Sequence, residues 1–158
     1  MKVSRLLLTI GALLPFGAAI AQVGGILDVS ATIGNSCVFA VGNATLPFGT
    51  LTVTDLANGK NETTQATVNI TCTNSATQAR LYGAATRQMT YATSNVITYE
   101  VYTDSARVLA LGTTQPTGVI VLANGVQQAI TLWGKTIANQ GTKPTGAYTQ
   151  ALALTVQF

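Results

Sequence analysis

Apolar and polar residues alternate with a period of two along much of this chain, the pattern of strands that bury one face. Near the start, after Gly24 and Gly25, Leu27, Val29, Ala31 and Ile33 alternate with Asp28, Ser30 and Thr32. Between 66 and 72, Val68, Ile70 and Cys72 face one way, and Thr67, Asn69 and Thr71 the other. From 148 to the C-terminus, Leu152, Leu154, Val156 and Phe158 alternate with Ala151, Ala153, Thr155 and Gln157. The same reading predicts strands over 38–41, 79–85, 119–122 and 129–137, and over 97–103 with Ile97, Tyr99 and Val101 on one face. It predicts a further apolar stretch over 108–111 and an extended edge piece over 46–51, where Pro47 cannot donate to a ladder. Turn signals separate these runs. Asn58-Gly59 lies in a polar loop over 54–64, residues 104–107 form a turn, and Lys143-Pro144 lies in a turn over 141–146. Asn124-Gly125 between two apolar runs predicts a hairpin. No amphipathic helix of useful length is predicted. Many short strands with turns between them read as an antiparallel sandwich or barrel.

The first of these stretches raises a question about pairing. Gly24-Gly25 precedes it and Gly34-Asn35 follows it, so residues 23–33 can leave the body of their own domain. Alternation alone leaves open whether they close their own sheet or are offered to another molecule.

Ahead of that stretch the chain opens with Lys2 and Arg5, an apolar run over 6–20 broken by Pro15, and a small-x-small step at Ala19-Ile20-Ala21. This reads as a secretory signal peptide over residues 1–21, with the mature chain starting at Gln22. The run is shorter than the ~20 residues a membrane span needs. No cysteine sits at the cleavage step, which argues against a lipoprotein. Removing Lys2 and Arg5 from eight basic residues leaves six against five acidic ones, a net charge of +1. With no basic run in the mature chain, nucleic-acid binding is not expected.

Charged residues are 8% of the chain, so Thr, Asn, Gln and Ser must build the polar surface, which suits strands and turns. Two cysteines, Cys37 and Cys72, in an exported chain read as a single disulfide. Closing that loop contributes about 4 kcal/mol on the chain-entropy model. The sequence contains no histidine, which removes Ser-His-Asp and Cys-His catalysis and leaves too few ligands for a metal site. Glu100 and Asp104 are the one near pair of carboxylates, and on a strand and its turn they are expected to be solvated. Trp133 on an alternating strand is expected in the core. The triplets at Asn43, Asn61 and Asn69 match the glycosylation pattern, as chance allows in an Asn/Thr-rich chain. No Gly-rich loop leads into a helix, so no nucleotide site is indicated. Catalytic, cofactor and metal residues are therefore none.

Three segments together resemble a known family. They are Tyr99-Glu100-Val101-Tyr102-Thr103-Asp104 with Arg107 close behind, Leu132-Trp133-Gly134-Lys135, and Gly146-Ala147-Tyr148-Thr149-Gln150 leading into the alternating C-terminus. With the leader and the first-strand cysteine, these are similar to the spore coat protein U domain, the pilin subunit of archaic chaperone–usher pili. Two positions depart from the family pattern. Val108-Leu109-Ala110-Leu111-Gly112 stands where a Trp-Gly is common, and Gln150 where an Asp is common.

The resemblance implies an all-β, incomplete immunoglobulin-like antiparallel β-sandwich completed by a donated strand. Residues 22–36 would be the donor-strand segment and linker, and 37–158 the sandwich. Leu27, Val29, Ala31 and Ile33 would be the donor side chains. Leu152, Leu154, Val156 and Phe158 would be the strand that a periplasmic chaperone captures beside the acceptor groove. Implied partners are identical or related pilin subunits, that chaperone and an outer-membrane usher, with no small-molecule substrate or cofactor. The implied place is the cell surface, in a pilus serving adhesion and biofilm formation. Two other readings are a spore or surface coat protein of the same fold and a self-closed secreted binding module.

Overall fold

The structure, a computed structural model, describes residues 27–40, 42 and 44–158. The leader, its cleavage step and residues 22–26 lie outside the described residues. Residues 27–32 and residues 33–158 belong to separate units of the chain. The second unit is all β apart from one short helix and a 3-10 turn.

The alternating stretches fold into β1 (Cys37–Phe39), β2 (Ala66–Cys72), β3 (Ala79–Gly83), β4 (Gln88–Tyr91), β5 (Asn95–Tyr102), β6 (Val119–Val121), β7 (Gln128–Thr136) and β8 (Leu154–Gln157). One antiparallel sheet runs β1-β2-β7-β5-β4 and a second runs β6-β3-β8. Between them lie the apolar faces that the alternation marks, with Ile70 of β2, Leu81 of β3, Val101 of β5, Val121 of β6 and Leu132 of β7 all buried. Leu111, from the loop after β5, completes this layer. Burial in β2 and β5 follows the sequence pattern: Val68, Ile70 and Cys72, then Ile97, Tyr99 and Val101, are buried, and their neighbours are not. Cys37 sits opposite Cys72 in the β1–β2 register, and the two are disulfide-bonded.

Several expectations need correction. The polar runs depart from the sequence reading most, whereas residues 27–33, whose pairing alternation leaves open, are in no strand among the described residues. The polar loop over 54–64 contains a helix, α1 (Val53–Asn58). Thr52 Oγ1 accepts from the Asp55 N–H at 3.2 Å, and the Asp55 carboxylate accepts from the Thr52 N–H at 2.8 Å, a reciprocal capping box. Asn58-Gly59 is the end of that helix. Six residues are too few to reveal a helical period, so only the Thr52-Val53-Thr54-Asp55 cap was there to read. β4 was missed because Met89 is its single core-facing apolar residue.

Asn124-Gly125 is a turn without a hairpin ladder. β6 pairs with β3 and β7 with β2 and β5, so the turn crosses from one sheet to the other. The Gly125 N–H donates to Cys72 O and the Ser75 N–H to Ala123 O, which fixes this corner to the end of β2. Trp133 is half-buried on the outer face of β7, opposite Tyr102, because Leu132 and Gly134 take the inward positions. Residues 108–111 make one bridge to β5 rather than a strand, burying Leu111 and leaving Val108 and Leu109 exposed.

Candidate functional site

The sandwich is open along one side. A cavity of about 1490 Å³ enters the core there. Its floor is the inward face of β2, β5 and β7, including Val68, Tyr99, Val101 and Leu132. One wall is the segment 44–53, and the other is the segment 143–152 running into Leu154 of β8. β8 pairs with β3 alone and β1 with β2 alone, so among the described residues each sheet has an unpaired edge beside this cleft. Unpaired edges bordering an apolar trough form a seat for an additional strand.

Neither wall is a strand: one backbone pair, Thr90 with Thr149, and one bond from the Thr63 N–H to Pro47 O tie them to the body, and side chains add the rest. On the 44–53 side, Leu46 and Phe48 lie so close to Gly134 that a Cβ there would come within 2.8 Å of Leu46 and 3.0 Å of Phe48. Any larger residue at 134 would push this wall into the cleft. Phe48 packs against Tyr99 with ring centroids 5.7 Å apart. Burial raises the Tyr99 hydroxyl above its ordinary pKa of 10.0, so the floor stays uncharged at neutral pH. On the other side, Tyr91 fills the space where a Cβ of Gly146 would sit, and its ring meets that of Tyr148 at 5.5 Å. Gln150 acts as a surrogate strand, accepting from the Gln88 N–H at 2.7 Å and donating to Thr86 O at 2.8 Å.

The C-terminal site residues lie in this body. Leu152, Leu154, Val156 and Phe158 are half-buried against the core, and the residues between them are exposed. Leu152 and Leu154 line the cleft, and Val156 sits opposite Leu81. The N-terminal ones lie in solvent: Leu27 and Val29 are each 85% exposed, Ile33 is 86% exposed, and Ala31 is exposed too. The chain enters the body beside the disulfide, where Thr73 Oγ1 accepts from the Ser36 N–H at 3.0 Å.

Sequence reasoning missed the charge pairs. Arg107 grips Glu62 with both arms, Nη2 to Oε1 at 2.6 Å and Nε to Oε2 at 3.1 Å, and the Gly134 N–H donates to the same carboxylate at 2.9 Å. Burial pushes the Glu62 carboxyl up, but the hydrogen bonds from Arg107, Gly134 and its own N–H outweigh it and leave the group below its ordinary 4.5. Arg87 is buried, pairs with Glu100 and donates to Leu111 O at 2.6 Å. Glu100 is thus a paired carboxylate rather than a solvated one. The Asp104 carboxylate accepts from the Val108 and Leu109 N–H groups and shapes a turn. Five acidic residues scattered over a long sequence gave no clue to which cations they would meet. Among the described residues no cluster of His, Cys, Asp or Glu could hold a metal ion.

The model of the Spore Coat Protein U domain matches residues 24–155. The chain belongs to the spore coat protein U domain family. Within that family's segments, a side chain at Gly134 would strike Leu46 and Phe48 of one wall, and a side chain at Gly146 would strike Tyr91 of β4. No curated protein matches the chain. The fold is similar to a chain in a solved structure of a chaperone–usher pilus, with a TM-score of 0.53 and 11% identity, covering 90% of this chain and 99% of that one. The incomplete antiparallel sandwich is therefore a shared architecture.

Proposed function

We propose that this protein is a structural, non-enzymatic subunit of a bacterial surface pilus, built by donation of a strand from one copy to the next. The observation that carries this reading is a matched pair of features in one chain. The sandwich is open along an apolar cleft, and the alternating stretch 27–33 has its apolar residues Leu27, Val29 and Ile33 exposed. Support comes from the spore coat protein U family and from the likeness in fold to a chaperone–usher pilus chain. In this reading, Leu27, Val29, Ala31 and Ile33 of one subunit fill the cleft of its neighbour. Before that, a periplasmic chaperone holds the β8 edge and the Leu152, Leu154, Val156 and Phe158 strand, and an outer-membrane usher receives the complex. Residues 1–21 direct export, 22–36 are donor and linker, and 37–158 are the acceptor domain. The fibre at the cell surface serves adhesion and biofilm formation.

The energetics suit a polymer. Burying Leu27, Val29 and Ile33 contributes roughly 1.5–3 kcal/mol each, an upper bound because unfolded chains already bury some surface. The total is comparable with the roughly 5–15 kcal/mol that stabilises a whole domain. An unfilled subunit is then marginal, and a filled one resists dissociation. Val29→Asp tests the reading by placing an unpaired carboxylate in an apolar seat. The variant is expected to co-purify with its chaperone and to form no fibres in electron micrographs. Normal polymerisation by Val29→Asp would make a self-closed secreted module the better account.

A further inference from the structure

Resting on that reading, we infer that the Glu62–Arg107 ion pair holds the Leu46–Phe48 wall of the cleft in its strand-accepting position. The wall needs such a device. Among the described residues, no ladder partner holds 44–51. Its backbone bonds to the rest of the body are Pro47 O, which accepts from the Thr63 N–H at 2.7 Å and Thr63 Oγ1 at 3.1 Å, and Thr50 O, which accepts from Lys60 Nζ at 2.6 Å. An apolar wall beside an apolar cleft gains by falling inward, since collapse covers the half-buried Leu46 and Leu51. Something must oppose that collapse until a strand arrives.

Thr63, which holds Pro47, follows directly on Glu62. The Glu62 side chain is 3% exposed, and both its oxygens are occupied. The Glu62 N–H donates to Gly134 O at 3.1 Å, and Arg107 Nε donates to the same oxygen at 3.2 Å. Glu62 is thereby fixed to β7 at the residue on which Leu46 and Phe48 pack. Pro47 is held from one side by Thr63, and its two neighbours rest on Gly134. The buried Glu62 carboxylate resists partial rearrangement, because opening one of its contacts leaves a desolvated charge short of a partner. Arg107 adopts a left-handed φ of 56°, a conformation that non-glycine residues keep only where surrounding contacts enforce it. The Asp104-capped turn and the grip on Glu62 supply those contacts. Arg107 and Glu62 touch no donor residue in this account, so they act as positioning residues through preorganisation of the seat.

The test uses the exported full-length chain and a fluorescent peptide of residues 23–33. Glu62→Gln keeps the shape and removes the charge. It is expected to weaken peptide binding roughly tenfold and to speed hydrogen exchange at the Thr63 amide by a similar factor, leaving the β2–β7 amides unchanged. Arg80→Ala, which removes a hydrogen bond from β3 of the other sheet to Gly118 O, is expected to lower the melting temperature without changing peptide affinity. Unchanged peptide affinity in Glu62→Gln overturns the inference. So does an equal loss in Arg80→Ala, which would reduce the effect to general destabilisation. Should Glu62→Gln fail to fold, Arg107→Lys keeps the charge but loses the two-armed grip, and the same readouts apply. Should the wild-type chain bind no peptide, strand donation fails, and the Thr63 amide alone decides: protection equal to wild type in Glu62→Gln then overturns the clamp as well.

Discussion

Residues 27–33 and 152–158 carry the same alternation and meet opposite fates. In the second stretch every apolar position is half-buried and every residue between is exposed. In the first, every position is exposed. Hydrophobicity does not separate them, since Leu, Val, Ala and Ile face one set and Leu, Leu, Val and Phe the other. What differs is the presence of an edge. β3 pairs with residues 154–157, and residues 27–33 are in no strand pairing among the described residues. Alternation records which face a segment buries once it is paired, and says nothing of the partner. The contrast also shows that β8 is itself only half satisfied, being paired on one side and bordering the cleft on the other.

The sharpest way to break this contrast is to give the first stretch an edge of its own. Appending residues 22–33 to the C-terminus through a flexible linker, with the original copy deleted, should let them fill the cleft of the same molecule. The expected gain is about 5 kcal/mol after discounting residual burial in the unfolded chain, or roughly 15 °C in melting temperature. A chain that melts where the parent melts would show that the cleft does not take this segment.

A smaller effect measures the two stretches as they stand. Val156→Asp should cost roughly 2 kcal/mol in urea unfolding of the monomer, because the carboxylate enters a half-buried apolar site. Val29→Asp, at an exposed position, should cost under about 0.5 kcal/mol in the same experiment. Equal costs would mean that the N-terminal stretch is packed in solution and that the contrast is false.

The smallest effect concerns pH. The folded-state pKa of Glu62 lies below its ordinary 4.5, so its contribution is fully present above that value and is lost as pH falls through the folded-state value. Unfolding free energy should therefore decline as pH falls below the ordinary glutamate value of 4.5, and Glu62→Gln should flatten that decline while lowering stability at neutral pH. Deleting residues 22–33 should leave the acid limb unchanged. A limb that disappears with the N-terminal stretch would assign the titration to the wrong region.

Some of the site was legible from residues alone. The inward faces of β2 and β5, and the alternation that places Leu152, Leu154, Val156 and Phe158 on one side, came from period two. The walls were not. Residues 44–52 carry no period, and their position depends on Gly134 and Thr63, both distant in sequence. Glu62 and Arg107 are separated by 45 positions, and no local rule pairs them. Trp133 was misplaced because the phase of β7 is set by Leu132, not by the largest side chain.

Local chemistry written in single residues carried much of the sequence-level picture. Period-two alternation made the chain all β, and its two cysteines form one bridge. Tertiary structure alone decided that the Asn124-Gly125 turn crosses between sheets, that β8 keeps one edge free, and that a cleft enters the core. Those outcomes depend on which strands pair and in what order. Pairing is a contest among distant edges, won by total burial and backbone satisfaction, and a one-dimensional pattern records the faces but not the neighbours.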